Sequence, residues 1–284
     1  MTPRSKAAIL VGATAWLTCV GLLFARGLST EASFALGFAV VTLGLVAIVA
    51  RRAPLAPLGV GSFVPAAVML GLYVILCAQA FNDFSIDVLG PVQHCVQSAT
   101  APLVPLARSI HLPSSALVGA ILIVIALTAC RATGTPWSEL GFTRGHNTGR
   151  VVAVFAAPLI IGLVVILAVG RATPAQLASL VPVALFVAAA EELFFRACLQ
   201  SQLERAWGPT RALVLTALLF GVFHTGMLAA SMRLPVLVAA AVGITQQGVL
   251  GGLVLGTAFQ RTRTIWVSIV LHALGNVALI PLFS

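Results

Sequence analysis

The stretch 181-VPVALFVAAAEELFFRACLQ-200 is apolar for ten residues, carries two glutamates and an arginine, and then returns to mostly apolar residues. About 20 predominantly apolar residues is the length of a helix that crosses a bilayer. Charged side chains inside such a helix cost at least about 2.5–3.5 kcal/mol each on insertion scales. Glu191, Glu192 and Arg196 are therefore there for a reason, either to pair with one another or to do chemistry. Glu192 and Arg196 stand four residues apart and share a helix face, so they can pair. Glu191 points about 100° away and is left to face something else.

The rest of the chain agrees with a membrane reading. Of 284 residues, 60% are hydrophobic and only 8% charged, against about 25% charged in an average soluble domain. Mean hydropathy is +1.09. A soluble globule would lack a surface, and a disordered chain would lack this apolar content. Long unbroken apolar runs, rather than alternating ones, exclude a transmembrane β-barrel. The expected fold is all-α, a polytopic transmembrane helix bundle of about nine membrane helices: 7–25, 32–50, 63–81, 114–130, 151–169, 177–200, 210–230, 234–259 and 264–282. Residues 82–113, with Asp83, Asp87, His94 and Arg108, read as an interfacial loop with short helices. The first run is long for a signal peptide and no A-x-A site follows Arg26, so it is expected to be retained.

The formal net charge is +9. The basic residues sit singly or in pairs at the ends of apolar runs, with no basic stripe or stacking surface, so they are topology anchors and no nucleic-acid partner is expected. With the N-terminus in the cytoplasm, Arg4, Lys6, Arg51, Arg52, Arg131, Arg144, Arg150, Arg205, Arg211, Arg261 and Arg263 fall inside. Only Arg26, Arg108, Arg171 and Arg233 fall outside. This bias puts the C-terminus outside. The five cysteines are odd in number and form no CxxC, so neither a disulfide framework nor a metal knuckle is implied. The polar stretch RATGTPWSELGFTRGHNTGR at 131–150 is the clear cytoplasmic linker. It divides N-terminal membrane helices of unassigned role, 1–130, from a second half, 151–284, in which the intramembrane ionisable residues lie.

Two further runs carry polar groups at depth. RALVLTALLFGVFHTGM (211–227) contains His224, and TIWVSIVLHALGNVALI (264–280) contains His272 and Asn276. At about 1.5 Å per residue, Glu191, His224, His272 and Asn276 all lie roughly 12–20 Å from the cytoplasmic helix ends. One slab of the membrane therefore holds them, and the economical arrangement has them facing one another. A glutamate beside a histidine can hold a water and take its proton. An Asn amide or a His N–H can donate to a developing oxyanion. These parts suffice to hydrolyse an acyl bond without a serine or cysteine nucleophile. Neither HExxH nor an intramembrane Asp is present, so the zinc and aspartyl patterns of other intramembrane proteases are missing.

EELFFR (191–196), FGVFH (220–224) and HALGN (272–276) resemble the EExxxR, FxxxH and HxxxN motifs of the CPBP family, the CAAX proteases and bacteriocin-processing enzymes also called Abi. SELGF at 138–142 resembles the entry to that domain. The resemblance implies an intramembrane glutamic endopeptidase: Glu191 and His224 activate water, Asn276 with His272 stabilises the oxyanion, and Glu192 and Arg196 support the site. It implies a membrane cavity open to the cytoplasm or through a lateral gap, and no cofactor. Ala197 departs from the family, where a Gly is frequent after the Arg. The substrate expected is a membrane-anchored protein or peptide. The Ala-, Val-, Leu- and Arg-rich usage with a single Lys suggests a high-GC bacterium and its inner membrane, which disfavours a prenylated substrate.

Three other readings stay open. One is a non-catalytic bacteriocin-immunity or scaffold protein of the same fold. Another is a transporter using the carboxylates as a proton relay, although no internal repeat is visible. The third is a zinc enzyme built on Glu191, His224 and His272. Oligomeric state is not legible.

Overall fold

A computed structural model describes residues 3–283 except 54, 56, 57, 60, 84–89, 103 and 106–113. Asp87 and Arg108 lie outside the described residues. The described chain is helical with no strand: α1 (Pro3–Ala25), α2 (Ser29–Arg52), α3 (Phe63–Asp83), α4 (Gly90–Thr100), α5 (Ser114–Ala132), α6 (Thr148–Ala168) and α7 (Pro174–Glu192) lead into a π-helical segment, π1 (Leu193–Gln200). Then come α8 (Ser201–Trp207), α9 (Pro209–Phe223), α10 (Thr225–Met232), α11 (Val236–Val242), a second π segment, π2 (Gly243–Leu255), α12 (Gly256–Thr262) and α13 (Ile265–Phe283).

This is the all-α polytopic bundle expected from composition. Among the described residues six continuous helical stretches are long and apolar enough to cross a membrane, and Ala35–Arg51, Leu117–Ala132 and Ile265–Ala278 are shorter apolar helices. The nine expected segments fall on these nine stretches. Large apolar side chains face outward, among them Val40, Ile161, Val183, Phe186, Leu237 and Trp266, as lipid-facing surface does in place of a polar coat.

Local chemistry sets the helix ends. α7 begins with a capping box: the Gln176 amide donates to Thr173 Oγ1 at 3.2 Å and the Thr173 amide to Gln176 Oε1 at 2.8 Å, with Pro174 at the first helical position. The 210–230 run, expected as one helix, divides at His224. The His224 amide bonds Gly221 O at 3.2 Å, while its ring Nδ1 donates to Phe220 O at 2.8 Å. A side chain thus takes the carbonyl that the i→i−4 backbone bond would use, and the helix is interrupted there.

Glycines let α9 and π2 meet backbone to backbone. A Cβ on Gly221 would lie 2.6 Å from Ile244 Cα, and one on Gly252 2.6 Å from Ala217 Cα. The glycine-rich GVLGGLVLG at 248–256 therefore serves close helix packing.

The 131–150 connection is packed rather than loose. The Ile265 amide donates to Gly141 O at 2.9 Å, Thr264 Oγ1 donates to Thr143 O at 2.8 Å, and Gln202 Nε2 donates to Thr135 Oγ1 at 2.9 Å. Gly141 has φ +88°, and a Cβ there would meet Phe259 Cε2 at 2.6 Å, so both conformation and space call for glycine. Two ion pairs hold the same end: Arg205–Glu139 at 2.6 Å and the buried Arg263–Glu204 pair. The start of α13, and hence the height of His272, is fixed against α8 and the connection.

Candidate active site

Three helices bring the ionisable groups together. Glu191 and Glu192 end α7, Arg196 lies in π1, His224 stands at the α9–α10 break, and His272 projects from α13, which packs along α7. Glu192 and Arg196 are both fully buried, with Arg196 Nε donating to Glu192 Oε2 at 3.1 Å. The other Glu192 oxygen accepts from His272 Nδ1 at 2.9 Å. Both oxygens of Glu192 are thereby engaged. Arg196 Nη2 donates to Gly251 O at 3.1 Å, and the guanidinium lies 5.0 Å from the Phe220 ring centroid, a cation–π distance.

Glu191 is placed differently. Its Oε2 is buried and makes no hydrogen bond to a protein group. It lies 3.7 Å from His224 Nε2 and 3.9 Å from His272 Nε2. Both distances exceed a direct hydrogen bond and match a gap bridged by water. The second nitrogen of each imidazole is already committed, to Phe220 O and to Glu192 respectively. That fixes each ring with Nε2 aimed toward Glu191. In neutral His224 the proton sits on Nδ1, so Nε2 is an acceptor.

Asn276 lies one turn beyond His272 on α13, half-buried. Among the described residues no group of three His, Cys, Asp or Glu side chains has the arrangement of a metal site.

Phe220 is the member that residue-by-residue reading passed over. Its ring centroid is 4.7 Å from that of His224 and 5.9 Å from that of His272, and Arg196 covers it. It is the first residue of the FxxxH motif, which is the signal that could have marked it.

A cavity of about 760 Å³ leads to Glu191. Its walls come from α3 (Leu76, Gln79), α5 (Gly119, Ile123) and α7 with π1 (Phe186, Phe194). Among the described residues the lining is apolar apart from Gln79 and Glu191. Two of these walls, α3 and α5, belong to the N-terminal half, whose role composition left open.

Residues 173–278 match the family model for type II CAAX prenyl endopeptidase Rce1-like. The matched segment begins at the α7 cap and contains all six motif residues, Glu191, Glu192, Arg196, His224, His272 and Asn276. The resemblance to CAAX proteases read from the motifs is borne out over this segment. Comparison with curated proteins found no match, and comparison with solved structures found none.

Proposed function

We propose that this chain is an intramembrane endopeptidase that hydrolyses a peptide bond of a membrane-anchored protein or peptide with water activated by Glu191 and His224. The observation that carries the reading is the buried, unbonded Glu191 Oε2, flanked at 3.7 and 3.9 Å by two imidazole nitrogens, on a glutamate that lines a largely apolar cavity. A water among these atoms donates one hydrogen to Glu191 and the other to His224 Nε2. Its lone pair then points to a carbonyl carbon. Attack forms the C–O bond while Glu191 takes the proton. The oxyanion accepts from the Asn276 amide and from His272 Nε2–H when that ring is protonated against Glu192. Glu191 then gives its proton to the leaving nitrogen as the C–N bond breaks, leaving an amine and a carboxylic acid, which releases its remaining proton to water as the products depart. Glu192 and Arg196 hold His272 and take no part in proton transfer. In this reading 151–284 is the hydrolytic core, 131–150 positions it from the cytoplasmic side, and the helices of 1–130 frame the substrate's path. The N-terminus is cytoplasmic and the C-terminus outside.

The test compares protein termini in membranes of cells carrying wild type or Glu191→Gln. Termini that vanish in the variant support the protease and name its substrates. Identical termini, with a deletion phenotype rescued by the variant, favour the immunity or scaffold reading. Loss of activity to a chelator with recovery on zinc would move the mechanism to a metal.

A further inference from the structure

We propose that Met69, Cys130 and Cys198 form a copper(I) site with three sulfur ligands, where α3, α5 and π1 meet. This site is separate from Glu191 and its histidines and does not depend on the proposed activity. The three side chains come from three elements that pack on one another, and each is fully buried. Cys130 Sγ donates to Met69 Sδ at 4.0 Å, across 61 residues of chain. The Cys130 thiol also hydrogen-bonds that of Cys198. Two sulfurs that each lie about 2.3 Å from a metal ion, at about 120° to one another, stand about 4.0 Å apart. The Met69–Cys130 separation is therefore already that of two ligands in a trigonal site.

The ligand chemistry selects the ion. Two thiols and a thioether are soft donors, which favour copper(I). Zinc takes four ligands in structural sites, and among the described residues no third His, Cys, Asp or Glu joins the two thiols. Binding exchanges the two thiol protons for one copper(I), so the site gains one net negative charge. A buried charge needs polar partners, and they are at hand. The Gln202 amide, which donates to Thr135 Oγ1 at 2.9 Å, also hydrogen-bonds Cys130. Arg205, one turn further along α8 and paired with Glu139, brings its positive charge to bear on Cys130 as well. Leu127, one turn before Cys130, lines the Glu191 cavity, so that cavity comes within about 4.5 Å of the ligands along α5. A bound ion ties α3 and α5, two walls of the cavity, to π1, the segment that carries Arg196.

The test uses the full chain in detergent, with Cys19→Ala and Cys95→Ala introduced so that the half-buried and the exposed thiol cannot compete. Copper(I) is added without oxygen and with ascorbate, and the chain competes for it against the chromophore bicinchoninate. Uptake of one copper(I) per chain is expected, with a rise in melting temperature. X-ray absorption is expected to show three sulfur neighbours at about 2.3 Å. Cys130→Ala and Cys198→Ala are each expected to abolish uptake although Cys77 is still present. Met69→Leu conserves side-chain volume and keeps the packing. Its melting temperature without copper is expected to match that of the parent chain, while its affinity for copper(I) falls at least roughly tenfold, the least that losing a ligand's own hydrogen-bond partner costs. No copper(I) taken from the chromophore overturns the site, as does equal uptake by the cysteine variants or equal affinity in Met69→Leu. Nitrogen or oxygen neighbours in the absorption spectrum overturn the ligand set. A chain lighter by two hydrogens, with Cys130 and Cys198 joined, shows a disulfide in place of a metal site and overturns it too.

Discussion

Adjacent glutamates on one helix end up with opposite environments, and that difference is testable one residue at a time. Glu192 is bonded to Arg196 and His272 at full burial, whereas Glu191 Oε2 bonds to nothing in the protein. Glu191→Gln therefore removes no native hydrogen bond at that atom. It is expected to keep wild-type yield and melting temperature while abolishing cleavage. Glu192→Gln strips the charge that faces a buried guanidinium, for which a loss on the order of 3–5 kcal/mol is expected, seen as poor yield or early thermal unfolding. Similar stability losses in the two variants would refute this division of roles. Asn276→Ala is expected to lower kcat by about 10²–10³ with KM little changed if its amide serves the oxyanion. An unchanged kcat in single-turnover cleavage of a membrane-anchored substrate would remove Asn276 from that role.

Two helical elements depart from simple α-geometry where the site is built. π1 follows directly on Glu192 and carries Arg196, while π2 supplies the Gly251 carbonyl that accepts from Arg196. π-helical departures are frequent at functional sites. The glycine contact between α9 and π2 brings Gly251 and Phe220 together around Arg196. Gly221→Ala or Gly252→Ala is expected to cost roughly 1–3 kcal/mol through overpacking, read as a lower melting temperature in detergent. Gly71→Ala, where a Cβ meets nothing within 4 Å, is the control and is expected to be neutral. Of these elements, the apolar lengths were legible in residue order, whereas the α7 cap at Thr173 lies four residues before the expected start at 177. The π segments and the break at His224 were not legible. They arise from bonds such as His224 Nδ1 to Phe220 O, a choice between side-chain and backbone donors that periodicity does not encode.

At the scale of the whole molecule, α3 and α5 of the N-terminal half line the same cavity as Glu191. Gly119 on α5 lines that cavity and has open space where a Cβ would go. Gly119→Leu is expected to leave melting temperature unchanged while filling part of the approach to Glu191. Its KM for a membrane-anchored substrate should rise several-fold, with kcat for a short soluble peptide spared. Equal effects on both substrates would argue that α5 does not line the substrate's path.

The sequence by itself determined that the chain crosses a membrane as helices, where those helices lie, and which six residues are too polar to be there without purpose. Bilayer thickness and the cost of an intramembrane charge are local constraints, so they are written residue by residue in composition and run length. The tertiary structure alone decided which glutamate is buried in an ion pair and which faces two histidines. It alone decided that Phe220 is the ring around which they gather, and that α3 and α5 wall the cavity. Those outcomes depend on how α3, α5, α7, α9 and α13 pack across intervals of up to about 200 residues, and no spacing along one chain specifies a distance between helices that far apart.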